Sequence, residues 1–343
     1  MTTASISNSP TESAAISLPQ LTALLEGAGI APLHLGWLRA TASDRVRWLN
    51  GMATNSVQQL TPGQGAYNFF LNAQGRIQGD GYIFATPDAL LIETAQAETL
   101  LPYLDHYIIM DDVELTDVSS TRHGLTIIGP KASELLATLG ISTSSPEELS
   151  FAEQTVNGHA VTLIRTHSPL VPRFELWCES AEQALSLLDA LTQAEATPCD
   201  AAALEALRLI EGTPLYGTDI RNSDKARDLP QETNQTRALH FNKGCYLGQE
   251  IVERIRSRGN VHRTFTAFRL EGTLPAPGTT LESDGKPAGE LTSIAAIPTT
   301  SGNTVQLALG YARREALDRH EPLNYPGGTA QAIASPALAE IKS

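Results

Sequence analysis

An α+β fold with two helix-backed antiparallel sheets and a small C-terminal β-barrel follows from three features of this 343-residue sequence. Three short runs rich in β-branched and aromatic residues, AYNFFLN, DGYIFAT and ALLIET, are separated by NAQGR and PDA, the pattern of consecutive antiparallel strands joined by tight turns. Farther along, strand-like and helix-like segments alternate twice without the long apolar runs of a parallel sheet, which argues against a doubly wound fold. From about Arg263 onward, short strands punctuated by PAPG, SDGKP and TTSGN predict a closed barrel.

Residues 1–17 carry Ser, Thr, Asn and Pro without periodic apolar positions and read as a mobile, disordered tail, with order beginning near Leu18. In ASDRVRWLNGMATNSVQQL, Val46, Leu49 and Met52 recur at helical spacing, and Ser43 or Asp44 is available as a cap. The meander follows. GLTIIGP then reads as a strand before the helix-like KASELLATLG, and VTLIRT and FELWCES precede AEQALSLLDALTQ and DAAALEALRLIEG. In the last of these Asp200 caps and Gly212 stops the helix. Residues 18–260 thus form the α+β region, with two subdomains that can interleave along the chain. Residues 261–343 form the barrel domain, with YPGG (325–328) as a late turn.

The content of 41% hydrophobic residues suffices for a sizeable core. With 24 basic against 38 acidic side chains the net charge is −14, which repels polyanions, so no direct nucleic-acid partner is expected. The apolar runs are too short to span a bilayer, and the Ser/Thr-rich start lacks the basic and apolar regions of a signal sequence. A cytoplasmic monomer without a membrane partner is expected. Cys178, Cys199 and Cys245 are odd in number and lack CxxC spacing, so neither a disulfide framework nor a self-contained metal site is indicated. GxxxxGK[ST], GxGxxG and HExxH patterns are absent.

The densest chemistry lies in KGCYLGQE (243–250). Ile251, Val252 and Ile255 predict a helix starting after Gly248, and a thiolate at Cys245, near unpaired backbone N–H groups and the Lys243 cation, would be stabilised. The competing reading is a small buried cysteine between two glycines. Between Lys243 and Arg263 stand Arg254, Arg256, Arg258, His262 and Arg263 against Glu250 and Glu253, a local inversion of the chain's sign. Either they build an anion pocket or they pair along a helix surface. Arg208 lies one turn after Leu204 on an inward-leaning helix face and needs a partner. Glu175 alternates with Phe174 and Leu176, which by itself reads as the exposed face of a strand. Asp80-Gly81 also fits a hairpin turn.

KGCYLGQE, followed by Arg254 and Arg258-Gly259, together with RLIEGTPLYGTDI (208–220), LPQE (229–232) and ALGYARRE (308–315), resembles the signature of the YgfZ family, which is related to the folate-binding T protein of glycine cleavage. The likeness runs from about Leu33 to about Glu315. It implies a T-protein-like folate-binding fold of two ferredoxin-like sheets plus a barrel, with tetrahydrofolate or a one-carbon derivative as cofactor. The implied function is accessory: assembly or repair of iron–sulfur proteins, with those assembly or client proteins as transient partners and an indirect effect on tRNA modification. On this resemblance Cys245 and Lys243 are the reactive pair, Glu175 and Arg208 hold the pterin end, and Asp80 stands near the folate nitrogen. Tyr246, Gln249, Glu250, Arg254 and Arg258 complete the cofactor-binding set. The T proteins carry two consecutive aspartates where this chain has Gly79-Asp80, which ranks a folate-dependent aminomethyltransferase or demethylase second. A binding scaffold without chemistry is the third reading.

Overall fold

The computed structural model describes residues 15–144, 147–223, 228–259 and 261–341, with the side chain of Arg258 also outside the description. Of the expected tail, residues 1–14 lie outside the described residues, whereas Ile16 packs against the core and Ser17 occupies the N-cap of helix α1 (Leu18–Glu26). Strand β1 (Gly29–Leu33) is followed by β2 (Gly36–Thr41), α2 (Arg45–Met52), β3 (Gly65–Leu71), β4 (Ile77–Ala85), β5 (Leu90–Thr94), α3 (Ala97–Asp105) and β6 (Glu114–Asp117). Strands β2 to β6 make an antiparallel sheet in the order β3-β4-β5-β2-β6, so the predicted meander is present as three adjacent strands. Asp44 occupies the N-cap position of α2, but neither its carboxylate nor the Ser43 hydroxyl makes a capping hydrogen bond. Both are tied to the loop before β6, the Ser43 hydroxyl donating to Asp112 and the Asp44 carboxylate accepting the Asp112 N–H.

The chain then returns to the sheet that β1 began. Strand β7 (His123–Ile128), α4 (Ala132–Thr138), β8 (Phe151–Val156), β9 (His159–Arg165), β10 (Arg173–Cys178), α5 (Ala181–Gln193) and β11 (Thr197–Pro198) complete it. Its order is β11-β1-β7-β10-β9-β8, antiparallel except for the short parallel pair of β1 with β11. Period-two alternation gives each sheet two different faces. On β10, Phe174, Leu176 and Cys178 pack under α4 and α5 with Leu136, Leu187 and Leu191. On the other sheet Leu38, Phe70, Ile83 and Ile92 pack under α2 and α3 with Leu49, Leu100 and Leu104. The remaining faces meet each other: Trp37 and Trp177 stand edge to face at 5.1 Å within a cluster that includes Phe84, Leu91 and Ile164.

Helix α6 (Ala201–Glu211) begins at Asp200, whose carboxylate accepts the Ala203 N–H at 2.9 Å, and ends at Gly212 with φ 71°. Its Ala206, Leu209 and Ile210 pack against the barrel. Helix α7 (Gln249–Arg258) starts at Gly248, where φ is 82° and an added Cβ would lie 2.5 Å from the Asn72 carbonyl. Only glycine fits there. The barrel follows as β12 (Arg263–Gly272), β13 (Thr280–Ser283), β14 (Lys286–Pro298), β15 (Thr304–Arg313), α8 (Arg314–Leu317), β16 (Leu323–Tyr325) and β17 (Gly328–Ile333), before α9 (Leu338–Ile341). It closes in the order β12-β15-β14-β13-β16-β17. Among the described residues no helix is long and apolar enough to cross a membrane.

Candidate active site between the two sheets

Where the inner faces of the sheets diverge, beyond the Trp37–Trp177 contact, they leave a cavity of about 420 Å³. One side of α6, from Ala201 to Glu211, and residues 213–216 form another of its walls. Three sequence candidates, Asp80, Glu175 and Arg208, line it from three different elements. Alternation puts them there: Asp80 and Tyr82 share one face of β4, and Arg173, Glu175 and Trp177 share one face of β10. Glu175 is therefore not on an exposed strand face but buried between the sheets.

Asp80 accepts a hydrogen bond of 2.5 Å from the Tyr67 hydroxyl. Burial raises its carboxyl above the ordinary aspartate range, while the Tyr67 hydroxyl and the Arg237 charge favour the ionised form. Arg237 lies over the Tyr67 ring at 4.1 Å and its Nη2 points to the Tyr82 hydroxyl. Its Nη1 is buried without a hydrogen-bond partner. The Asp80-Gly81 pair is not a hairpin tip but the middle of β4, in register with Phe69 and Asn68. Gly79 faces the opposite way. A Cβ there would lie 3.3 Å from Leu100 Cδ1 of α3, outside the cavity.

Across the cavity the Glu175 carboxylate accepts the Trp177 indole N–H at 2.9 Å. Facing it from β5 is Glu93, 1% exposed, which sequence reasoning missed. Burial, then the neighbouring Glu175, pushes the Glu93 carboxyl well above the usual range. Its signal in ALLIET was a single charge inside an otherwise apolar run, which periodicity assigns to no face when both faces are buried. Tyr67, Tyr82 and Arg237 were missed for a related reason. Their roles depend on rings and a guanidinium stacking across separate segments.

Arg208 lines the wall but has no donor to offer. Its Nε and Nη2 hold Glu205 at 2.8 and 2.6 Å, Nη1 holds Asp219 at 2.5 Å and the Thr213 carbonyl at 2.6 Å, and Nη2 also donates to Ser293. All five guanidinium N–H groups are thereby committed. The expected pterin contact is replaced by a buried joint between α6, the loop at residues 213–219 and barrel strand β14. Arg263 is similarly engaged, by Glu232 and Asp228.

The KGCYLGQE segment lies outside the cavity. Lys243 does not face the thiol: its ammonium donates to the carbonyls of Asn50, Ala53 and Asn55 at 2.7, 2.6 and 2.7 Å. Burial pulls its pKa down to about 7, and three carbonyl dipoles pointing at the nitrogen oppose that by favouring the charged form. The expected support of a Cys245 thiolate by Lys243 is thus absent, because an ammonium has three donors and all three are taken. Cys245 itself is exposed, while Cys178 and Cys199 are buried and pushed up to about 11 by burial. Tyr246 is buried beneath the cavity in a cluster with Tyr67, Phe69 and Val252, and Gln249 accepts the Tyr246 N–H at the start of α7. Glu250 and Arg254 pair at 2.5 Å on the exposed side of α7, one turn apart, and Arg256 reaches Glu253. The surface-pairing alternative describes these residues, and Arg254 lines a separate cleft of about 270 Å³ beside Glu232 and His262. The Arg258 side chain is outside the described residues.

The profile of the GCVT N-terminal domain matches residues 22–243, well over half of the chain. The chain belongs to the GCVT family. The matched span holds both sheets and the whole cavity and stops two residues before Cys245. Among curated relatives, this GCVT-family chain is 28% identical over 304 residues to an aminomethyltransferase of Geobacillus kaustophilus, covering 86% of this chain and 82% of the relative. It is 25% identical over 292 residues to a putative chloroplastic transferase of Arabidopsis thaliana, covering 82% of this chain and 64% of that protein. The chain thus spans just under two thirds of the Arabidopsis protein's length. In structure it resembles the glycine cleavage system aminomethyltransferase T of Bartonella henselae, with a TM-score of 0.80 over 95% of this chain and 90% of that one, at 19% identity. The sheets and closed barrel of the GCVT-family chain are therefore the T-protein fold.

Proposed function

We propose that the cavity between the sheets binds a reduced folate and that Asp80 moves a proton during transfer of a one-carbon unit. The observation that carries this is the convergence of Asp80 and Glu175, from separate sheets, on one largely apolar, aromatic-lined cavity. A pterin offers an adjacent pair of N–H donors, and the buried Glu175 carboxylate fits that edge as an acceptor. Tetrahydrofolate, when bound, supplies the nitrogen that carries the one-carbon unit. Asp80, held by Tyr67 and electrostatically favoured in its ionised form by Arg237, is placed to accept or return a proton within the cavity. Gly79 weighs in the same direction, since the residue at that position faces α3 and its side chain would add no carboxylate to the cavity. The aminomethyltransferase name of the Geobacillus relative agrees with this reading. The test is calorimetric titration with tetrahydrofolate. Glu175→Ala should weaken binding at least about tenfold, whereas Asp80→Asn should keep binding and lose transfer. Wild-type affinity in Glu175→Ala would sink the assignment.

A second reading keeps the YgfZ-like motif at its centre: a folate-binding accessory protein for iron–sulfur proteins, acting through Cys245. What supports it is the exposure of Cys245 on a segment outside the cavity, where a partner protein has access. Complementation of a strain lacking the protein by Cys245→Ser decides between the two, because transfer in the cavity does not need the thiol and the accessory role does.

A further inference from the structure

His167 lies on the loop between β9 and β10 of the six-stranded sheet and lines the same cavity as Asp80, which comes from the five-stranded sheet. Its Nδ1 sits 2.7 Å from Oε1 of Glu148, in the segment before β8. A carboxylate only accepts, so Nδ1 carries the hydrogen and the neutral ring keeps a lone pair on Nε2. Among the described residues Nε2 has no hydrogen-bond partner, and it is not sealed off as Nδ1 of His240 is. Glu148 does not line the cavity, so the ring edge opposite it is the one the cavity meets. The charged groups about the ring are Glu148, Arg237 and, at the end of α6, Glu211, which is itself paired with Arg173 at 3.2 Å. Burial, then the Arg237 charge, lowers the imidazole below the ordinary histidine value, and Glu148 opposes them. A ring that is neutral at neutral pH and backed by a carboxylate is suited to act as a base.

We propose that His167, oriented by Glu148, accepts a proton at Nε2 from the ammonium group of an amine-bearing one-carbon donor. This rests on the one-carbon reading for the identity of the amine. The ligand N–H bond breaks with its electron pair left on nitrogen, the proton binds Nε2, and the Glu148 carboxylate offsets the charge of the imidazolium so formed. The donor nitrogen then has a free pair, which an ammonium lacks. Asp80 is left to the folate on the other sheet, so each of the two substrates meets its own proton acceptor.

Nitrogen-resolved NMR of the histidine-labelled, ligand-free protein tests the ring itself, with His167→Asn identifying its resonances. The ring should be neutral and protonated on Nδ1 near neutral pH, and a ring protonated on Nε2, or still charged there, overturns the proposal. In aminomethyl transfer to tetrahydrofolate, His167→Asn should lower kcat/KM by roughly a hundredfold and remove the acidic limb that follows the His167 titration. Glu148→Gln keeps an acceptor for Nδ1–H without the charge, so that limb should move to lower pH, with kcat reduced and KM held. A contact that merely anchored the loop would not move the limb. A His167→Asn protein with the wild-type rate and limb overturns the proposal. If the wild type transfers nothing, the one-carbon reading fails, and titration of the ligand-free protein with methylammonium, followed at Nε2, decides the amine site alone: a saturable shift supports it and an unmoved resonance overturns it.

Discussion

The Tyr67 hydroxyl donates a 2.5 Å hydrogen bond to the Asp80 carboxylate across two adjacent strands whose register pairs Tyr67 with Tyr82 and Phe69 with Asp80. The bond is diagonal on one sheet face. Burial raises Asp80, and this bond favours its charged form. Removing the hydroxyl in Tyr67→Phe should therefore raise the Asp80 pKa further. If Asp80 acts as a base, the acidic limb of kcat/KM for one-carbon transfer moves to higher pH in that variant. An unmoved limb would show that Asp80 is not the titrating group.

Restoring an aspartate pair should not restore anything. Gly79→Asp would direct a carboxylate at Leu100 and the Gln96 amide oxygen, beside the apolar layer under α3. The expected cost is on the order of 2–4 kcal/mol of stability without a gain in transfer activity. Denaturant midpoints and an activity assay on the same variant check both halves, and a more active Gly79→Asp protein would contradict the outward orientation.

Arg208 should behave as a structural joint. Its buried pair with Asp219, whose carboxylate also accepts from the Leu215 N–H and the Ser293 hydroxyl, loses one charged partner in Arg208→Met. Leaving that carboxylate buried and uncompensated costs roughly 3–5 kcal/mol. The denaturation midpoint should fall sharply, and a variant of unchanged stability but lost folate affinity would instead assign Arg208 to the ligand.

Lys243→Met separates packing from reactivity. Three carbonyls at the end of α2 lose their donor, and destabilisation of about 2–3 kcal/mol is expected from unpaired buried acceptors. The alkylation rate of Cys245 should stay near wild type, because the ammonium is not directed at the thiol. A tenfold slower Cys245 in this variant would reinstate the cation–thiolate pair.

Glu93 links stability to pH. Its folded-state pKa lies well above the ordinary glutamate value, so the native protein binds the proton more tightly than the unfolded chain. The contribution is present below the unfolded pKa and is lost as pH rises through the folded one. Glu93→Gln removes this linkage, and its denaturation midpoint should improve relative to wild type at alkaline pH more than at acidic pH. Parallel midpoints across the pH series would mean that Glu93 does not carry the proton.

The local code in this chain was enough for those elements with strong turn, cap or periodicity signals. The AYNFFLN to ALLIET run became β3 to β5, the Asp200 cap and Gly212 stop bound α6, and Gly248 opens α7, because each of these is decided by neighbours in sequence through turn chemistry, capping and periodicity. Asp80 and Glu175 were named on a family likeness, and their place in one cavity depended on which strand face each occupies. That is a tertiary matter. Strands β3 and β5 are buried on both faces, so alternation alone could not tell the helix-covered side from the cavity side; Glu93 was marked only as a lone charge in an apolar run, and Arg237 had no mark. Charge was the least legible property: the sequence left open whether Arg208, Arg254 and Arg263 pair within the chain or hold a ligand, and it set Lys243 beside the Cys245 thiol. A cation's role is set by the partners that desolvate it, and those lie far away along the chain for Lys243 and within one helical turn for Arg254.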